Sequence, residues 1–290
     1  MQNGDTIKFN EYRNLGDLMN ITMTFSRQEM APLFKAFLIL AMPLLILMGI
    51  ILGIFQTENL SFTMGGGDIT NPNNLEYFQN MIIQYGLIII IYYLSASVIS
   101  SITLGYIVEY INNGPKVPFE NVLSQVKIFL SRILALNLVY YLIIMIASLF
   151  FLIPGIFLAI SLILSPVVLV LEDTGIGESM KRSIYFTKGY WWRTLGYMLV
   201  IGIVYTIISM VFSIPGMILG IFFAIGPGEA SPDSPLMLML TIISSIISTF
   251  SYLFSALLII FSAFYYHSQY ELKEAGNLMK SIDEVTGENL

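Results

Sequence analysis

The side chains able to do chemistry are few and scattered along this 290-residue chain. There is no Cys, which excludes disulfides, thiolate catalysis and cysteine-held iron–sulfur clusters. The single His, His267, stands between Tyr266 and Ser268, with Glu271 four residues on. Two ligands fall short of a zinc site, and an aromatic-rich helix end is the simpler account. Glu172 and Asp173 form an acidic pair that could bind a cation or share a proton. Lys181 and Arg182 follow close enough to be their ion-pair partners, so the four residues make a candidate polar interface site. Glu109 has a similar status. Gly65-Gly66-Gly67-Asp68 lacks the Lys-Ser/Thr that would make it a phosphate cradle and reads as a loop. Asn59-Leu60-Ser61 fits a glycosylation sequon. No paired aspartates, Ser/His dyad or zinc motif falls inside an apolar stretch, so no catalytic residue, cofactor or metal is assigned.

The elements that must carry these residues are read from where charge is missing. The chain is 56% hydrophobic and 11% charged, against about 25% charged in a soluble domain. Five uncharged runs cover 36–57, 77–108, 133–171, 194–223 and 236–266. About 20 apolar residues at roughly 1.5 Å each cross a hydrocarbon core. The run 133–171 is long enough for two crossings. Six spans follow: 33–55 with a kink at Pro43, 81–106, 131–152, 156–171, 193–214 and 236–265. Segments 14–29, 118–130 and 176–192 are amphipathic and suit the membrane interface. Trp191 and Trp192, the only tryptophans, sit where an interfacial belt is expected. The net charge of −6 argues against nucleic acid as a partner.

On this map all 13 Lys and Arg fall on one side, and Glu58, Asp68, Glu76, Glu229 and Asp233 on the other. The positive-inside rule then predicts both termini in the cytoplasm. No Asp, Glu, Lys or Arg lies at the middle of a span, where coupled carriers usually place one. Serines of spans 2 and 6, among them Ser244/Ser248 and Ser251/Ser255, have a small-xxx-small spacing that permits close helix packing.

Residues 132–160 match 193–221 at 12 of 29 positions without a gap. Arg132 aligns with Arg193, Ser148 with Ser209, and Pro154-Gly155 with Pro215-Gly216; just upstream, Lys127 aligns with Lys188. The repeated unit is an amphipathic helix, a span, a Pro-Gly break and a returning span. Pro presets φ and Gly accepts positive φ, so each pair is expected to be a turn or a hinge. A hinge would be a broken helix beside a substrate site.

Pro154-Gly155, Ser165-Pro166, Glu172, Gly175, Ser179, Lys181-Arg182-Ser183, Lys188-Gly189 and Trp192 form a pattern. It resembles the bacterial membrane domain attached to some glycerophosphoryl diester phosphodiesterases, and related six-span families. The likeness is specific over about 40 residues, looser over 120–270 and weak before 110. It implies a multi-pass protein of the bacterial cytoplasmic membrane. It does not imply phosphodiesterase activity, which in that family belongs to a separate barrel of roughly 200 residues or more.

The sequence thus predicts an all-α polytopic membrane protein. Residues 1–31 form a cytoplasmic amphipathic segment, 32–270 a six-helix transmembrane domain with a partial repeat (spans 3–4 and 5–6), and 271–290 a cytoplasmic tail. The expected function is non-enzymatic: a scaffold or subunit of a membrane complex, with the lipid bilayer and other membrane subunits or a second copy as partners. The interaction surfaces would be the amphipathic helices and the small-residue faces of spans 2 and 6. The alternative is a carrier for a small or lipid-like molecule, with the Pro-Gly breaks flanking a cavity.

Overall fold

The computed structural model of the protein describes residues 7–64, 75–225 and 234–275. The Gly65–Gly67 stretch with Asp68, the carboxylates Glu229 and Asp233, and the tail beyond 275 lie outside them. The described residues are helical and contain no strand. Six helices are long and apolar enough to cross a membrane: Met42–Thr63, Leu75–Asn113, Phe119–Leu149, Leu152–Leu171, Trp191–Phe222 and Pro235–Glu274. The chain is an all-α membrane protein.

In chain order the helices are α1 (Leu15–Leu40), α2 (Met42–Met64), α3 (Leu75–Asn113), α4 (Phe119–Phe150), α5 (Leu152–Ser161), α6 (Ser165–Leu171), α7 (Ile176–Thr187), α8 (Trp191–Ile225), α9 (Pro235–Thr249) and α10 (Ala256–Tyr270). A 3₁₀ segment, Phe250–Ser255, joins α9 to α10. The first apolar span begins nine residues later than its hydropathy predicts. The helix breaks at Ala41, because Pro43 has no N–H to give the carbonyl of Ile39.

The chain divides into two compact units. One holds Met1–Ala36, Ser100–Ile203 and Ala256–Leu290; the other holds Phe37–Ile99 and Val204–Ser255. The division follows charge. Every Lys and Arg belongs by sequence to the first, here called the basic unit. The second, the acidic unit, has five carboxylates and no basic residue.

The acidic unit is organised by an antiparallel pair, α2 against α9. Gly49 and Gly53, one turn apart, lie against the backbones of Ile246 and Ile242. The Thr249 hydroxyl donates to the Leu45 carbonyl at 3.0 Å, and Ser245 to the Gln56 side-chain carbonyl at 3.2 Å. Ser248 donates to the Phe212 carbonyl of α8 at 3.2 Å. The small residues of span 6 are therefore used within the chain. Ser97 of span 2 is fully buried too. Small side chains here let α2 and α9 approach closely.

The basic unit packs around aromatic rings. Phe9 stacks on Phe264 with centroids 4.4 Å apart and meets Phe25 edge-on. Leu18, Thr22, Phe25, Glu29 and Leu33 form the buried stripe of α1, at the spacing of one helix face. Ser268 closes the N-terminal segment onto α10: its hydroxyl accepts from the Arg13 N–H at 3.0 Å and donates to the Arg13 carbonyl at 3.1 Å.

The two halves of the sequence repeat fold differently. In the first, α4 ends at Phe151, whose backbone is extended (φ −157°, ψ 141°), and α5 turns back onto α4. Pro154 falls in the first turn of α5, where its missing N–H costs nothing. Gly155 permits the return, since a Cβ there would lie 2.0 Å from Ser148 Oγ. In the second half there is no turn: α8 runs unbroken through Pro215 to Ile225. The expected break or hinge at Pro215-Gly216 is corrected accordingly. Ser213 donates to the Ser209 carbonyl, and Ser209 to that of Tyr205, where the first copy has Leu152 and Ser148. Gly216 meets nothing closer than Ser244 Oγ at 4.0 Å.

Candidate functional site

A break inside a membrane span exposes backbone groups that hydrocarbon cannot satisfy. The basic unit contains one, at 162–164, between α5 and α6. Pro166 causes it: the proline cannot donate to the Leu162 carbonyl and its ring would crowd that group. The freed groups are met by α7. Ser183 Oγ donates to the Ser161 carbonyl at 2.8 Å and accepts from the Leu164 N–H at 3.2 Å. Thr187 Oγ1 reaches the same Ser161 carbonyl at 3.3 Å. Ser183 and Thr187 are buried and one turn apart, so one face of α7 carries the whole repair. Sequence reasoning missed this site. Its signal was Pro166 in mid-span together with a Ser/Thr pair at i, i+4 in the helix that follows.

At the far end of α6 lie the charged candidates. Glu172 makes a short ion pair with Arg182 of α7 and accepts from Tyr266 Oη of α10 at 2.7 Å. Arg182 also reaches Glu274 at 3.6 Å. Burial works against the Arg182 charge; Glu172 and then Glu274 outweigh it, so its pKa is raised above the ordinary guanidinium value. Asp173 turns the other way and pairs with Arg132 of α4 at 2.5 Å. Its φ of 50° is the left-handed turn that ends α6. Arg132 also donates to the Thr174 carbonyl at 2.6 Å. Lys181 is exposed. The four residues thus belong to two separate ion pairs and a solvated lysine. Together the pairs tie α4, α6, α7 and α10 at one end.

Removing one partner of a half-buried pair strands the other's charge. Glu172→Gln and Arg182→Met are each expected to cost about 1.5–3 kcal/mol. The double variant should cost less than their sum, with a coupling of about 0.5–3 kcal/mol. Equilibrium unfolding in detergent measures this, and strictly additive losses would deny the interaction.

Other polar candidates are also absorbed into packing. Glu109 accepts from three side-chain amides, Asn113 of its own helix at 2.7 Å and, joining α3 to α4, Gln125 at 2.6 Å and Asn121 at 3.2 Å. His267 lies edge-on to Phe9 with centroids 5.4 Å apart. The basic unit also has a recess of about 780 Å³, lined by Lys8, Phe9, Glu11, Arg13, Ile21 and Tyr110 among others. Arg13 lines it with its guanidinium bound to the Phe9 and Lys8 carbonyls and to Glu11.

No curated protein and no solved structure matches the chain. A family described as a domain of unknown function, DUF7847, matches residues 76–269, which is more than half of the sequence and contains both the broken span and the charged cluster. The chain therefore belongs to the DUF7847 family.

Proposed function

We propose that this protein is a non-enzymatic, multi-pass membrane protein that assembles with other membrane proteins as a scaffold or subunit. One observation carries the proposal. Only 6% of the apolar stretch of α8 is buried within the chain, against 50% for that of α3. Ile207, Met210, Ile214, Met217 and Ile221 are exposed on α8 at spacings of three and four residues. That spacing suits a seam by which one helix packs against another. The ion pairs and hydroxyl bridges around α7 support the same reading, since they fix side chains in place.

The test is purification in mild detergent with the mass of the protein component measured. A complex of fixed stoichiometry is expected, and Met210→Trp with Ile214→Trp should release a folded monomer. A wild-type monomer with no protein partner would overturn the proposal. The second reading is a carrier, favoured by the recess beside Arg13; a monomer retaining a small molecule there would support it.

The resemblance of 153–192 to the phosphodiesterase-attached membrane domain supports a bacterial cytoplasmic membrane. Confinement of Lys and Arg to one unit supports both termini lying in the cytoplasm. With no native Cys, a lone cysteine can report its side. Lys116→Cys should be labelled from the face of a sealed vesicle opposite to the one that labels Thr63→Cys. Labelling from the same face would refute this orientation.

A further inference from the structure

The two copies of the sequence repeat place an arginine in the same local setting. Arg132 lies over the ring of Phe129, 6.0 Å from its centroid. Arg193, 61 residues on, lies over Tyr190 at 4.1 Å, and Tyr190 is the counterpart of Phe129. In the first copy the positive charge is answered by the Asp173 carboxylate and the Thr174 carbonyl. In the second, Arg193 has the Tyr265 side chain as a hydrogen-bond partner but no carboxylate among the described residues. Nε and Nη2 of Arg193 are buried without a hydrogen-bond acceptor.

Two further cations share the place. Lys273 lies 5.5 Å from the Tyr190 centroid and donates to the Tyr185 carbonyl and, at 2.8 Å, to the Lys188 carbonyl. Lys188 and Arg193 are both near enough to repel the Lys273 charge. Neither lysine pairs with a carboxylate among the described residues. Three like charges held together in this way lack a counter-anion. Arg193 and Lys273 share the Tyr190 ring and Lys188 lies near enough to act on Lys273, and a group of guanidinium and ammonium charges of this kind suits a phosphate, which accepts several charge-assisted hydrogen bonds at once. Trp191 and Trp192 adjoin the cluster, and Trp192 is 79% exposed. Exposed tryptophans of this kind sit at the headgroup level of a bilayer.

We propose that Lys188, Arg193 and Lys273 form a binding site for a phosphate group, supplied by the headgroup of an anionic phospholipid. The ligand does in the second copy what Asp173 does in the first. The site requires no partner protein, so it stands or falls apart from the assembly role.

The test uses the full chain in neutral detergent, with its thermal midpoint followed as phosphatidylglycerol, phosphatidylcholine or inorganic phosphate is added. Phosphatidylglycerol should raise the midpoint of the wild type and phosphatidylcholine should not. Arg193→Gln and Lys188→Gln should each weaken the phosphatidylglycerol effect about tenfold in half-saturating concentration. Lys188 is exposed, so its variant keeps the test valid should Arg193→Gln fail to fold. Arg132→Gln, whose charge is already met by Asp173, should leave the lipid effect in place. An equal effect of inorganic phosphate would support the site and overturn its lipid source. An unchanged phosphatidylglycerol response in Lys188→Gln and Arg193→Gln would overturn the site itself.

Discussion

Gly53→Val is expected to lower the thermal midpoint of the protein more than any other single apolar substitution in the acidic unit. A Cβ at position 53 would stand 2.5 Å from Ile242 Cα and 2.8 Å from its Cγ1. At Gly49 the distance to Ile246 Cα would be 2.6 Å. Side-chain tips can swing aside, but a backbone Cα cannot, so the two helices must part. In a bilayer that separation is costly in a particular way. Lipid tails are as apolar as leucine, so close contact itself, with the hydroxyl bonds it brings into range, is what joins α2 to α9. Overpacking of this kind costs about 1–3 kcal/mol, and the loss of the Thr249–Leu45 and Ser245–Gln56 bonds would add to it. Gly86→Val is the control, because a Cβ there meets nothing within 4 Å. Melting in detergent, read by circular dichroism, should show a clear drop for Gly53→Val and little change for Gly86→Val. Equal midpoints would mean that the α2–α9 seam is not closed.

The second large effect is expected from Ser183→Ala. One hydroxyl serves two backbone groups of the broken span, and alanine serves neither. The Leu164 N–H then has no acceptor, and the Ser161 carbonyl keeps only the longer bond to Thr187. Each buried polar group left unpaired costs about 1–3 kcal/mol. Thr187→Ala should be milder, because Ser183 still holds Ser161. Deuterium exchange resolves the mechanism as well as the magnitude. Amides of 162–165 should exchange faster in Ser183→Ala, while those of α10 change less. Faster exchange across the whole chain without a local excess would argue that Ser183 acts only through general packing.

Six membrane-length helices, and an all-α fold among the described residues, were legible in the sequence, because charge marks the limits of an apolar run; the start of the first span was not, since Pro43 moved it. The Glu172–Arg182 pair was legible for a similar reason: α7 brings position 182 back beside the end of α6. The Pro-Gly pairs were not. The same dipeptide opens a helix after an extended Phe151 and passes through the middle of α8 after a helical Phe212. What differs is the packing at the glycine: α5 returns onto Ser148 at Gly155, whereas Gly216 meets nothing closer than Ser244 Oγ at 4.0 Å. The break at 162–164 was hidden by its hydropathy, which does not change where the hydrogen-bond ladder stops. The amphipathic stripe of α1 was visible, but not its burial against Tyr106, Tyr110 and Phe264, which are far away in sequence.

The segregation of lysine and arginine has an electrical consequence. The acidic unit carries five carboxylates with no cation of its own. An energised membrane exerts a force on such a body, worth about 2.3 kcal/mol for each elementary charge moved through 100 mV. Five charges bring this to roughly 11 kcal/mol if the whole potential is crossed. A resting voltage would thus favour whichever placement keeps these five carboxylates on the positive face. That preference would last only as long as the membrane stays polarised.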